Sequence, residues 1–163
     1  MRNKRPKTPY KQTSPELDFI PNMKEAGCNF MAELYGIQEM CKTNFSAMEI
    51  YSLVKYLQQK NNPSPNSAEG EKCLTYEMNL RNPDELINKA FEMLGKDKTG
   101  RVNWGNEKDQ KPEWTIIKGK TDLQNDHFKY GDSNGSVLWD PYDPELDITD
   151  IEVYNVYIFE GKR

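Results

Sequence analysis

The feature that most constrains this chain is a single change of texture near residue 100. Before it, apolar residues recur at helical spacing. After it, short runs rich in β-branched and aromatic residues alternate with turn signals. Helices first and strands second, without a βαβ alternation, is the pattern of an α+β domain with an antiparallel sheet. With 163 residues, one domain with one core is expected.

From Cys28 onward, Phe30, Met31, Leu34, Ile37, Met40 and Cys41 fall on one face at a period of 3.6. Gly36 interrupts that helix at a cost of about 1 kcal/mol relative to alanine, which a close packing contact would explain. "KTNFS" (42–46) ends it, and Asn44 or Ser46 is placed to cap a second helix carrying Ile50, Leu53, Val54 and Leu57. "KNNPSPNSAEG" (60–70) reads as a loop. "NPDELINKAFEMLG" (82–95) has a capping Asn82, Pro83 at the first helical position, acidic residues in the first turn and Gly95 as the stop.

The predicted strands are "RVNW" (101–104), "WTIIKG" (114–119), "DHFKYG" (126–131), "SVLWD" (136–140) and "EVYNVYIF" (152–159), with "DSNG" (132–135) turning the third into the fourth. Residues 1–16, with three prolines and a cluster of basic residues, read as a flexible basic tail ahead of a single domain at 17–163. "LDFIP" (17–21) is an apolar patch placed to dock its end.

The formal net charge of −4 argues against nucleic acid as a partner. No apolar run approaches a membrane span, and the basic start lacks the apolar stretch of a secretion signal, so a cytoplasmic setting is expected, with delivery outside the cell by lysis or a machine as the alternative. Three cysteines without a C-x-x-C pair, and one histidine, make neither a disulfide framework nor a zinc site, and no cofactor is implied.

Cys28 follows Gly27 at the start of the first long helix. A thiol there feels the positive end of the helix dipole, which favours the thiolate. A cysteine also suits that position as a small buried hydrophobe. His127 lies in a predicted strand. If "DSNG" closes as a four-residue loop, Gly131 faces Ser136 and His127 faces Asp140, side by side on one face. If Asn134-Gly135 is the turn, His127 faces Tyr142 instead. In the first register Cys28, His127 and Asp140 make a nucleophile, a base and an orienting carboxylate, the generalised triad of acyl transfer. The Cys28 N–H and one side chain just upstream would hold the oxyanion. Cys41 and Cys73 read as structural, and Trp104, Trp114 and Trp139 as core or cleft wall.

"AGCNFMAEL" (26–34) and "DHFKYGDSNGSVLWDPYDP" (126–144) resemble the papain-like cysteine peptidases, in particular the compact bacterial and phage branch related to the double-glycine leader peptidases. The resemblance spans about residues 17–160. It implies helices packed against a C-terminal sheet, with Cys28 as nucleophile, His127 as base and Asp140 as orienter. The family places an oxyanion-binding Gln six residues before the cysteine; here Asn22 stands there, an amide one methylene shorter. The expected activity is a cysteine peptidase or related amide hydrolase acting on a peptide or protein. A catalytically silent binding module and a peptidoglycan amide hydrolase are the alternatives.

Overall fold

The computed structural model describes residues 2–103 and 110–161. Among the described residues four α-helices precede five strands: α1 (Met23–Ala26), α2 (Cys28–Cys41), α3 (Ala47–Gln59), α4 (Pro83–Met93), β1 (Lys98–Asn103), β2 (Trp114–Lys120), β3 (Asp126–Gly131), β4 (Val137–Trp139) and β5 (Thr149–Glu160). The strands form one antiparallel sheet in the order β1-β5-β2-β3-β4. The α+β class follows the segregation in the sequence. Trp104 lies outside the described residues, and β1 starts three residues before the predicted strand.

The helix boundaries have local causes. Ser46 accepts the Glu49 N–H at 3.1 Å while the Glu49 carboxylate accepts the Ser46 N–H at 2.9 Å, a reciprocal capping box. Asn82 accepts the Glu85 N–H at 3.1 Å, Pro83 opens α4, and Gly95 at φ 70° closes its end.

The core lies between the helices and one face of the sheet, with Phe30, Leu34, Ile37, Leu53, Phe91 and Trp114 buried in it. A Cβ on Gly36 would stand 2.2 Å from the Trp114 indole, so α2 approaches β2 as closely as only glycine permits. That contact supplies the reason for a glycine in mid-helix. Tyr35 stacks on Trp139 at 4.2 Å and meets Tyr130 edge-on at 4.7 Å, joining α2 to the β3–β4 hairpin.

Residues 2–14, expected as a floppy tail, are docked. The Met48 N–H donates to the Arg2 carbonyl, Asn44 donates to the carbonyls of Pro6 and Lys7, and Arg5 pairs with Glu49 at 2.8 Å. The Gln12 N–H donates to the Pro141 carbonyl at 2.9 Å, and the Asp143 N–H to Thr13 Oγ1 at 3.1 Å. Composition marks this segment as polar, but the carbonyls of Arg2, Pro6 and Lys7 and the Gln12 N–H bond to the folded body and hold it down.

Candidate active site

Gly27 closes α1 and opens α2. A Cβ on Gly27 would lie 2.4 Å from Met23 Sδ and 2.6 Å from the Met23 carbonyl oxygen. Glycine therefore precedes the cysteine for steric room, and Cys28 becomes the first residue of α2. The first N–H groups of a helix have no intrahelical partner and point toward whatever sits there. Cys28 is 7% exposed and lines a cleft of about 730 Å³ together with Gln12, His127, Tyr142 and Leu146.

His127 enters from β3. Its Nε2 lies 2.7 Å from Asp140 Oδ1, with both side chains buried. That contact leaves Nδ1 as the ring nitrogen open to the Cys28 thiol, which lines the same cleft without a hydrogen bond of ordinary geometry to the ring. Burial pulls the imidazole down, but the bond to Asp140 and the nearness of the Cys28 thiol, with their charges, outweigh it and raise the ring from 6.5 to about 9.

Asp140 is over-determined. Besides His127 it accepts the Tyr142 N–H at 2.8 Å and the Leu146 N–H at 2.9 Å, and Lys129 Nζ stands 3.4 Å from Oδ2. Burial would raise its pKa, but the bonds to His127, Leu146 and Tyr142 hold it below the ordinary carboxylate value. Alternation along β3 puts His127 and Lys129 on one face, which is why both reach the same carboxylate.

The route by which His127 meets Asp140 differs from the expected register. Gly131 pairs with Val137 rather than Ser136, and a bulge then sets Tyr130 opposite Trp139. β4 ends at Trp139, and Asp140 begins the loop that its own bonds to residues 142 and 146 fold back. The carboxylate reaches the imidazole from this loop and not from a facing strand position. Tyr142, the partner in the competing register, stands edge-on to the His127 ring at 6.3 Å.

The structure brings Cys28, His127 and Asp140 together and leaves Asn22 apart. The Asn22 amide donates to the Tyr76 carbonyl at 3.0 Å, and its backbone is left-handed at φ 65°. The one-turn helix α1 coils the residues between Asn22 and Cys28, so the six-residue interval does not carry the amide into the cleft. The amide that does line the cleft belongs to Gln12. It is buried, its Nε2 donates to the Lys24 carbonyl at 2.9 Å, and its Oε1 has no hydrogen-bond partner. Sequence reasoning missed it because it sits in the segment read as tail. A signal was present in "SPEL" (14–17), a serine before a proline and a glutamate, which marks a helical turn. A short 3₁₀ turn occupies Pro15–Leu17.

The remaining thiols differ from Cys28 in surroundings. All three cysteines are free. Burial drives Cys73 up to about 11 and raises Cys41 as well. Glu33, one turn into α2, is a further buried acid. Burial pushes it up to about 8, and the nearby Trp114 indole pulls it back only in part, without a hydrogen bond of ordinary geometry between Glu33 Oε1 and Trp114 Nε1.

Among the described residues no cluster of three or more His, Cys, Asp or Glu side chains is arranged to hold a metal ion, and no helix is long and apolar enough to cross a membrane. A comparison with family models, curated proteins and solved structures finds no match.

Proposed function

We propose that this protein is a thiol-dependent amide hydrolase, a cysteine peptidase of papain-like plan. The observation that carries the reading is that Cys28 and His127 line one cleft, from a helix start and a strand, with the buried Asp140 held against the imidazole from a loop. Three residues far apart in sequence meet in the order nucleophile, imidazole, carboxylate, and each has a separate structural cause.

In the proposed cycle the proton of the pair rests on the ring, and the Cys28 sulfur attacks the carbonyl carbon of the substrate amide. The carbonyl π electrons move to oxygen, where the Cys28 N–H and the Gln12 amide donate to the oxyanion. Gln12 takes the place expected of Asn22, its second Nε2 hydrogen being the one not engaged by Lys24. The C–N bond then breaks as His127 gives its proton to the leaving nitrogen. Water attacks the acyl-cysteine, His127 takes a proton from it, and the C–S bond breaks with its electron pair leaving on sulfur, which releases the acid and restores the starting pair with the proton on the ring. Asp140 stays ionised throughout, holding the ring with Nδ1 toward sulfur and stabilising its charged form.

Hydrolysis of a labelled casein or a peptide library tests this. Cys28→Ala is expected to lose activity on the order of 10⁴-fold or more while keeping the circular dichroism and melting temperature of the parent. Equal turnover by the variant would end the reading, and so would a parent protein without turnover on amide or peptidoglycan substrates. Alkylation gives a second measure. Iodoacetamide at neutral pH is expected to modify Cys28 first, because burial disfavours the thiolates of Cys41 and Cys73. His127→Asn should slow that labelling, and an unchanged rate would separate the thiol from the imidazole.

A further inference from the structure

The walls of the cleft carry an excess of one charge that the triad does not use. Glu25, Asp122, Asp126, Glu145 and Asp147 all line it, against a single lining ammonium, Lys24. Asp126 is paired with Lys120 and Lys118. The other four are solvent-exposed, and no ion pair among the described residues engages them. They come from α1, from the β2–β3 turn and from the loop after Asp140, so they surround the cleft and are not confined to one patch. They do not form a compact metal-binding group. Leu123, 82% exposed beside Asp122 in the same turn, adds an apolar contact to the lining. At the back, the buried Gln12 Oε1 is an acceptor without a donor.

Unpaired carboxylates around a concave, partly apolar wall focus a negative potential into it. Such a site draws in cations and repels acidic chains. We infer that the cleft selects a basic peptide segment, with lysine or arginine side chains flanking the residue presented to Cys28. Glu25, Asp122, Glu145 and Asp147 are its specificity-determining residues. This rests on the hydrolase reading only for the fate of the bound peptide; the recognition itself needs no turnover. Long cationic side chains suit the arrangement, because their aliphatic stems lie along Leu123 while their heads reach the exposed carboxylates.

The test uses the full chain carrying Cys28→Ala and three fluorescein-labelled peptides of equal length, rich in lysine, alanine or glutamate. Fluorescence anisotropy is read at about 20 mM and about 500 mM salt, across which the screening length falls from roughly 20 Å to a few Å. The lysine-rich peptide is expected to bind about tenfold tighter than the alanine-rich one at low salt, with the advantage gone at high salt. The combined variant D122N/E145Q/D147N, confined to exposed side chains, should remove most of that advantage. The inference is overturned if the neutral or acidic peptide binds as well as the basic one, if the basic one does not bind, or if the triple variant behaves like its parent. The two readings fail separately. Cleavage by the parent protein without charge preference would leave the hydrolase standing and sink the inference. Selective binding of basic peptides without any cleavage would do the reverse.

Discussion

The two walls of the cleft are held in place by different forces. On the helical wall, Cys28 is positioned by packing: Gly27 presses against Met23, and α2 is locked to the sheet through the Gly36–Trp114 contact. On the sheet wall, His127 and Asp140 are positioned by polar bonds, with the carboxylate engaged by an imidazole, two backbone N–H groups and an ammonium. The docked segment at Gln12 and Thr13 ties that loop to the rest of the molecule. The helical wall therefore resists changes of volume at Gly27 and Gly36. The sheet wall resists the loss of a polar partner, because a buried polar network fails when one member is left unpaired.

Substitutions that respect or violate this division test it. The largest effect is expected at Asp140. Asp140→Ala leaves a buried imidazole, an ammonium and two N–H groups without their acceptor, and should cost about 3–5 kcal/mol in urea unfolding. The milder Asp140→Asn keeps the shape and removes the charge. The His127 ring, read by NMR titration, should then fall from about 9 toward its ordinary 6.5, with activity down on the order of 10²–10⁴-fold. A ring that still titrates near 9 in this variant would show that Asp140 does not govern it.

Buried charge behind the helical wall comes next, through Glu33 on α2, which lies outside the cleft lining. Its folded pKa of about 8 lies above the ordinary 4.5, so the folded protein holds a proton there that the unfolded chain gives up. The associated stability is complete below about pH 4.5 and is lost as pH rises through 8. Glu33→Gln should remove that decline, and the difference between parent and variant should change by about 2–3 kcal/mol between pH 6 and pH 8. His127 acts in the same direction, its contribution being complete below 6.5 and lost through about 9, but it is common to both proteins and cancels in the difference. Asp140 is the reverse case, contributing above the ordinary carboxylate value and losing that contribution as pH falls through its depressed one. Parallel pH curves for parent and variant would remove Glu33 from the account.

The smallest effect is steric. Gly27→Ala forces Met23 Sδ and the Met23 carbonyl to give way, for about 1–3 kcal/mol in thermal or urea unfolding. Because the clash sits one residue before Cys28, activity should fall by more than the stability loss explains at a temperature where the variant is fully folded. A neutral outcome would mean that packing against Met23 does not position the thiol.

Much of the fold was legible because its causes are local. The 3.6-residue periodicity after Cys28, the Ser46 capping box and the Asn82-Pro83 start each state a boundary in a few adjacent residues, and the α2, α3 and α4 boundaries follow them. The site was legible in its residue types but not in its geometry. The β3–β4 hairpin carries a bulge that no turn signal announces, so the pairing expected for His127 and Asp140 fails while the contact forms from the loop. Asn22 was chosen by its distance along the chain, and a single helical turn was enough to send its amide to Tyr76.

What the amino-acid sequence determined by itself is the order of elements, the helix ends and the placing of one thiol, one imidazole and their carboxylate in an α+β chain. These depend on propensity, capping and periodicity, which act over a few residues. Tertiary structure alone decided that the basic first segment lies down on the body, that Gln12 and not Asn22 lines the cleft, and that Asp140 turns back to His127 past the end of its strand. Those outcomes require backbone groups distant in sequence to satisfy one another, as Gln12 does with Pro141 and Lys24, and no local pattern records such a pairing.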